Sequence, residues 1–232
     1  MLLPDYNTRL ALGGAISGLL CYFDSRRGAV EQTGTALDTT GRTGGMQLYG
    51  GGYIEPGVGF VGNGSDAYGT LSLPALNVSM MACWLNTATA MGPMLASGSS
   101  LFPFVWVGEG ATGDVAGETL SVITGRPGGG KAEITYAKDV IPTSTWIHIA
   151  WRWDSSTYLP YMNGVALTAY TNGPYVADRI TADQLTRVCA RPQYGQFSNH
   201  SIDHLMFLTG DDNATESTIA ALYESQRHLF GV

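Results

Sequence analysis

Carboxylates, histidines and aromatic rings are the side chains of this 232-residue protein with chemistry to offer. A retaining glycan-cleaving site needs two carboxyl groups about 5–5.5 Å apart. On a β scaffold, acidic residues at spacing two or four along one strand would supply them. Glu31, Glu55, Glu109, Glu118, Glu133, Glu216 and Glu224 are scattered, and none shares a strand-like segment with another carboxylate at that spacing. The chain has no G-x-S-x-G nucleophile elbow. Gly128-Gly129-Gly130-Lys131 lacks the phosphate-loop frame, and Ala132 stands where that motif needs a hydroxyl. His200 and His204 are four apart, a metal-pairing distance on a helix, but the segment reads as a loop entering a strand, where the two rings do not converge. His148 reads as a structural brace. The aromatic residues remain: sugar rings stack on exposed aromatic faces while polar neighbours fix their hydroxyls. Trp106, Trp146, Tyr158, Tyr161, Tyr170, Tyr175 and Tyr194 are candidates. Tyr170-Thr171-Asn172-Gly173-Pro174-Tyr175 has the appropriate mixture. The predicted ligand-binding residues are therefore Trp146, Tyr170, Asn172 and Tyr175, and no catalytic residue is predicted.

The elements that must hold these residues are strands. Ile147, Ile149, Trp151 and Trp153 alternate with Trp146, His148, Ala150 and Arg152, which predicts a strand with one face in a core. Asn163-Gly164 lies between Tyr158–Met162 and Val165–Tyr170, and both residues accept the positive φ angles of a type I′ hairpin. Val78–Leu85 is apolar on both parities, which predicts a central strand covered on both faces. Further strands are predicted at Met46–Tyr49, Tyr53–Ile54, Leu101–Val107, Thr119–Thr124, Ala132–Tyr136, Arg187–Ala190 and Ile202–Leu208. Pro103 cannot donate to a ladder and predicts an edge or a bulge. One helix is predicted near the C-terminus, where Ile219, Leu222, Tyr223 and Leu229/Phe230 share a face and Thr215 or Asn213 caps the start.

Composition narrows the class. Only 13% of residues are charged, about half the usual share, and 31 are glycine. The net charge of −7 and the scattered 12 basic residues argue against nucleic acid as a partner. Cys21, Cys83 and Cys189 lie far apart in apolar contexts and read as free buried thiols, with one disulfide plus a free thiol as the alternative. The apolar stretch 10–23 is too short to span a bilayer and lacks a basic leader, so neither membrane insertion nor a targeting segment is expected.

Four segments resemble the laminin-G-like, concanavalin A-like jelly-roll family. They are Leu19–Asp24, Asp66–Leu71 followed by Val78–Leu85 with Trp84, the W-x-H-x-A…D…Y-x-N-G pattern over Trp146–Gly164, and Ser201–Phe207 preceding Ile219–Tyr223. The resemblance implies an all-β, two-sheet antiparallel β-sandwich with a short C-terminal helix, occupying residues 18–232 behind an N-terminal arm at 1–17. It brings in calcium as the one ion to consider, with Asp24 and Asp203 matching the family's acidic positions; no other cofactor is expected. His204 departs from the pattern, standing where many relatives carry an acid. The scaffold serves many functions. With the low charge and the arm, the reading is a non-enzymatic virion structural or surface protein, for decoration or adhesion, localised to the virion. Its partners would be other virion proteins or copies of itself. The alternatives are an extracellular, carbohydrate-binding adhesion module that takes a cell-surface glycan, and a glycan-active enzyme.

Overall fold

Residues 147–154 form the strand that the alternation predicts. Ile147, Ile149 and Trp151 point into one apolar cluster, while Ala150 joins a second cluster on the opposite face. The computed structural model describes residues 18–26, 34–36, 38, 45–88, 92–97, 103–107, 120–125, 131–136, 141–167, 178–191 and 194–232. The expected arm at 1–17, the loop 126–130 and Tyr170, Asn172 and Tyr175 lie outside those residues.

In chain order the first strands are β1 (Leu19–Phe23), β2 (Thr35–Ala36), β3 (Met46–Tyr49), β4 (Tyr53–Glu55), β5 (Gly59–Val61) and β6 (Tyr68–Leu71). Next come β7 (Met80–Thr87), β8 (Gly92–Ala96), β9 (Phe104–Val107), β10 (Leu120–Gly125), β11 (Lys131–Tyr136), β12 (Ile147–Asp154) and β13 (Thr157–Met162). The last are β14 (Val165–Ala166), β15 (Arg187–Val188), β16 (Ala190–Arg191), β17 (Gln196–Phe197) and β18 (His200–Leu208), followed by helix α1 (Glu216–Gln226). The front sheet runs β14-β13-β12-β7-β18-β5-β4, with β1 also paired to β18. The back sheet runs β11-β10-β9-β8-β15-β6-β3-β2. Pairing is antiparallel throughout the described ladders. The architecture is the expected all-β, two-sheet sandwich with a short C-terminal helix.

Two apolar layers follow from strict period two. Met81, Cys83 and Leu85 of β7 face the interior shared with Met46, Leu48, Leu71, Leu95 and Val105 of the back sheet. Met80 and Ala82 face outward, into a second cluster with Tyr161, Met206, Leu208, Ile219 and Leu222. Thr215 caps α1 by accepting a hydrogen bond from the Thr218 N–H at 3.1 Å, and the helix then buries Ile219 and Leu222 on the front sheet. The helix stops short of Leu229 and Phe230, expected on its face: Arg227–Leu229 is a separate 3₁₀ turn.

The Asn163-Gly164 turn has φ of 51° and 80°, as a type I′ hairpin requires. Asn163 also clasps the neighbouring strand: its Oδ1 accepts from the His148 N–H and its own N–H donates to the His148 carbonyl. Pro103 stands just before β9, a strand with neighbours on both sides, rather than at an edge or inside a bulge. The single strand expected over 187–190 is broken at Cys189, whose φ is 59°. All three cysteines are buried free thiols.

Candidate functional site

The first cluster to test joins residues far apart in sequence. Strand β1 pairs with β18, Phe23 opposite Leu205, so Asp24 at the end of β1 comes level with Asp203 and His204. A bulge interrupts β18 between Asp203 and Met206, and His204 adopts φ 51° there. Ligand atoms of Asp24, Asp203 and His204 all lie within 4.8 Å of one another, and all three residues are buried. Asp203 Oδ1 accepts from the N–H groups of Ser25 (2.9 Å) and His204 (2.8 Å), and Oδ2 accepts from the Ser25 hydroxyl at 2.7 Å. Asp24 Oδ1 accepts from the Arg26 N–H at 2.9 Å. The His204 ring stands between the carboxylates, Nδ1 at 3.5 Å from Asp203 and Nε2 at 3.9 Å from Asp24. Burial disfavours the Asp203 charge, but His204 and the two Ser25 donors outweigh it and hold the carboxyl below its ordinary range.

This donor set does not fit calcium. The ion takes six to eight oxygens at 2.3–2.6 Å. Here both Asp203 oxygens and one Asp24 oxygen already accept hydrogen bonds, and the imidazole occupies the space between the acids, one nitrogen toward each. The Asp24–Asp203 approach brings two carboxyls close, yet both are buried, and the cavity they border is lined mainly by apolar side chains such as Phe23, Ile54, Phe60 and Leu205. The cluster fastens β1 to β18. Phe230 packs edge-on against the His204 ring at 5.1 Å, tying the chain's C-terminal segment to the same point.

The sequence candidates for sugar stacking divide. Trp146 is half-buried with its ring 5.0 Å from that of Phe230, at the rim of the helical layer. Tyr158 and Tyr161 are core residues. The Tyr158 hydroxyl donates to the Val78 carbonyl at 2.9 Å, and that of Tyr161 donates to Glu216 at 3.0 Å. Tyr194 is 47% exposed, with the Arg191 guanidinium 4.1 Å from its ring centre.

A second surface was not visible in the sequence. Met46 and Leu48 of β3 point into the core, so Gln47 and Tyr49 point out of the back sheet. Strand β6 alternates likewise, with Gly69 and Leu71 inward and Tyr68 and Thr70 outward. The β3–β6 register sets Tyr49 opposite Tyr68 and Gln47 opposite Thr70, and β15 adds Arg187 on the other side of Thr70. The Tyr49 and Tyr68 rings stack 5.0 Å apart with 13° between their planes. Arg187 lies over Tyr68 at 5.6 Å, and Phe197 of β17 flanks it at 6.2 Å. Tyr49 is 44% exposed, with Gln47 exposed beside it and Thr70 and Arg187 half-buried. The result is an outward aromatic pair bordered by an amide, a hydroxyl and a guanidinium. Two tyrosines on the polar parity of M-Q-L-Y and Y-G-T-L were the available signal; only the register joins them.

No protein-family model matches the chain, and no curated protein does. Among solved structures, the chain is similar to botulinum neurotoxin type C, which depends on interaction with two ganglioside molecules to get into cells (TM-score 0.64, 10% identity, 92% of this chain and 52% of that one). It is also similar to domain 4 of AbnA, a GH43 extracellular arabinanase from Geobacillus stearothermophilus in complex with arabinotriose (TM-score 0.59, 19% identity, 89% and 98%). Trypanosoma rangeli sialidase is a third (TM-score 0.57, 11% identity, 91% and 33%). The chain spans about half the length of the toxin chain and a third of the sialidase chain. At these identities the likeness shows the fold: a β-sandwich of the kind found in these glycan-related proteins.

Proposed function

We propose that the protein is a non-catalytic glycan-binding module that takes its ligand on the outer face of the back sheet. The observation that carries this reading is the stacked Tyr49–Tyr68 pair on a solvent-facing register, with Gln47, Thr70 and Arg187 along its border. One face of Tyr68 is taken up by Tyr49, so the open side of Tyr49 is the stacking platform and Tyr68 its buttress. A sugar ring laid there covers apolar C–H faces, while Gln47 and Thr70 exchange hydrogen bonds with its hydroxyls. The sandwich neighbours support the reading: one depends on gangliosides and another is in complex with arabinotriose. A non-catalytic role fits the Asp24–Asp203 pair, which is buried and wedged apart by His204.

A glycan array followed by calorimetry on the strongest hit tests the proposal. Tyr49→Ala is expected to weaken that hit at least tenfold, about 1.4 kcal/mol, with no change in melting temperature. An array without hits, or a hit indifferent to Tyr49→Ala and Tyr68→Ala, rejects the assigned face. The virion setting expected from the sequence is compatible with this reading and independent of it. Detection of the chain by mass spectrometry in purified particles of the source virus tests that setting separately.

A further inference from the structure

We infer that the glycan taken by this face carries an anionic group, a carboxylate or a sulfate, and that Arg187 reads it. The inference rests on the glycan-binding reading and deepens it.

Its basis is how the arginines are matched. Arg152 faces Asp154 and Glu216, Arg179 faces Asp211, Arg227 faces Glu224, and Arg26, without a carboxylate among the described residues, donates to the Leu229 carbonyl. Arg187 has no carboxylate partner among the described residues, although the chain carries 19 acids against 12 basic residues. Its Nε is buried with no hydrogen-bond acceptor among the described residues, so the two terminal NH2 groups are the donors a ligand on this face can reach. The contact with Tyr68 orients the guanidinium plane but satisfies none of its donors.

A guanidinium only donates, through a fixed fork that matches carboxylate and sulfate oxygens in bidentate fashion. A sugar hydroxyl meets that fork with a single lone-pair direction and no charge. An anionic group is therefore the acceptor this position favours. The net charge of −7 disfavours a dense polyanion at long range. The fitting ligand is an oligosaccharide with one or a few acidic units. Tyr49 and Arg187 sit two strands apart and two residues apart along them, about 12 Å. A neutral ring on Tyr49 and an acidic unit at Arg187 are thus separate residues of one oligosaccharide.

The experiment uses the full chain on matched oligosaccharides, each present as the neutral form, the carboxylated form (lactose against 3′-sialyllactose, methyl-esterified against free trigalacturonate) and the sulfated form (3′-sulfolactose). Wild type is expected to bind one acidic form at least tenfold more tightly than its neutral partner. Arg187→Gln is expected to abolish that preference, weakening the acidic form at least tenfold more than its neutral partner. Arg187→Lys, which keeps the charge and loses the fork, is expected to retain only part of it. The carboxylate and sulfate arms identify which anion is read. Neutral forms that bind as tightly as acidic ones, or an acid preference that survives Arg187→Gln, overturn the inference and leave the glycan-binding reading standing. Absence of binding in every arm removes both.

Discussion

At the scale of single residues, the interior holds two histidines whose burial disfavours the charged form. His148 is fully buried with neither ring nitrogen hydrogen-bonded among the described residues, between Trp84 at 5.4 Å and Tyr223 at 6.2 Å. Burial, with His204 nearby, pushes its pKa down to about 3. His200 is held between Thr87 Oγ1 at 2.8 Å and the Gly92 carbonyl at 3.3 Å, and burial pushes it down to about 4. Unfolded, both would titrate near 6.5, so below that pH the unfolded chain binds protons that the folded one refuses. Stability is therefore flat above about pH 7 and falls as the pH drops. The loss approaches about 1.4 kcal/mol per pH unit for each ring well below pH 6.5, and comes to about 3 kcal/mol for the pair between pH 6.5 and 5. Asp203, held below the ordinary carboxyl value, adds a further loss below about pH 4. His148→Phe removes the proton site and the two unpaired nitrogens while keeping a flat ring. It is expected to match wild type within about 1 kcal/mol at pH 7 and to exceed it by about 2 kcal/mol at pH 5. Guanidinium titrations at the two pH values measure this, and equal acid sensitivity in both proteins would sink the argument.

At the scale of elements, what the sequence could show depended on how local the cause was. The alternation in 147–153, the double-sided run at 78–85 and the Asn163-Gly164 turn are neighbour effects, and each formed as expected. The wedge of His204 between Asp24 and Asp203 was only half legible. Asp24 and Asp203 stood out by resemblance, but the bulge that turns the ring between them needs a positive φ that no pattern announces. The Tyr49–Tyr68 face was illegible for another reason: β4 and β5, which lie between β3 and β6 in the chain, belong to the other sheet, so the pairing is non-local. Tyr158 and Tyr161 read as candidates because a tyrosine looks alike whether its hydroxyl meets a carbonyl, a carboxylate or water. The hairpin offers an element-scale test. A Cβ on Gly164 would sit at positive φ and 3.2 Å from Tyr223 Cδ1. Gly164→Ala is expected to cost about 1–2 kcal/mol, seen as a lower denaturant midpoint at unchanged m-value. Wild-type stability in this variant would mean that the turn and its seat against α1 relax at no cost.

At the scale of the whole molecule, the two sheets present opposite solutions to the same problem. Each has an interior face in the shared core and an outer face to dispose of. The front sheet covers Met80, Ala82, Met206 and Leu208 with α1, and Trp84 is sealed by Phe230 stacked at 4.3 Å and by its Nε1 donating to Gln226 Oε1 at 2.8 Å. The back sheet leaves the β3–β6–β15 end open, finished with tyrosines and polar side chains instead of a helix. A cover that is purely structural and a face that is functional should come apart experimentally. Leu222→Asp puts a charge into the contact between α1 and the front sheet without touching the back sheet, and a buried unpaired charge there is expected to cost about 3 kcal/mol or more. The expected result is a protein that exposes the front-sheet cluster, binds the dye ANS and self-associates. The stronger variant, a stop after Gly210, removes the cover entirely and is expected to precipitate. Tyr49→Ala, by contrast, should leave ANS binding, solubility and melting unchanged while lowering glycan affinity. If Leu222→Asp stayed monomeric and ANS-silent, the helical layer would not be the seal of the front sheet, and the division of labour between the two outer faces would fail with it.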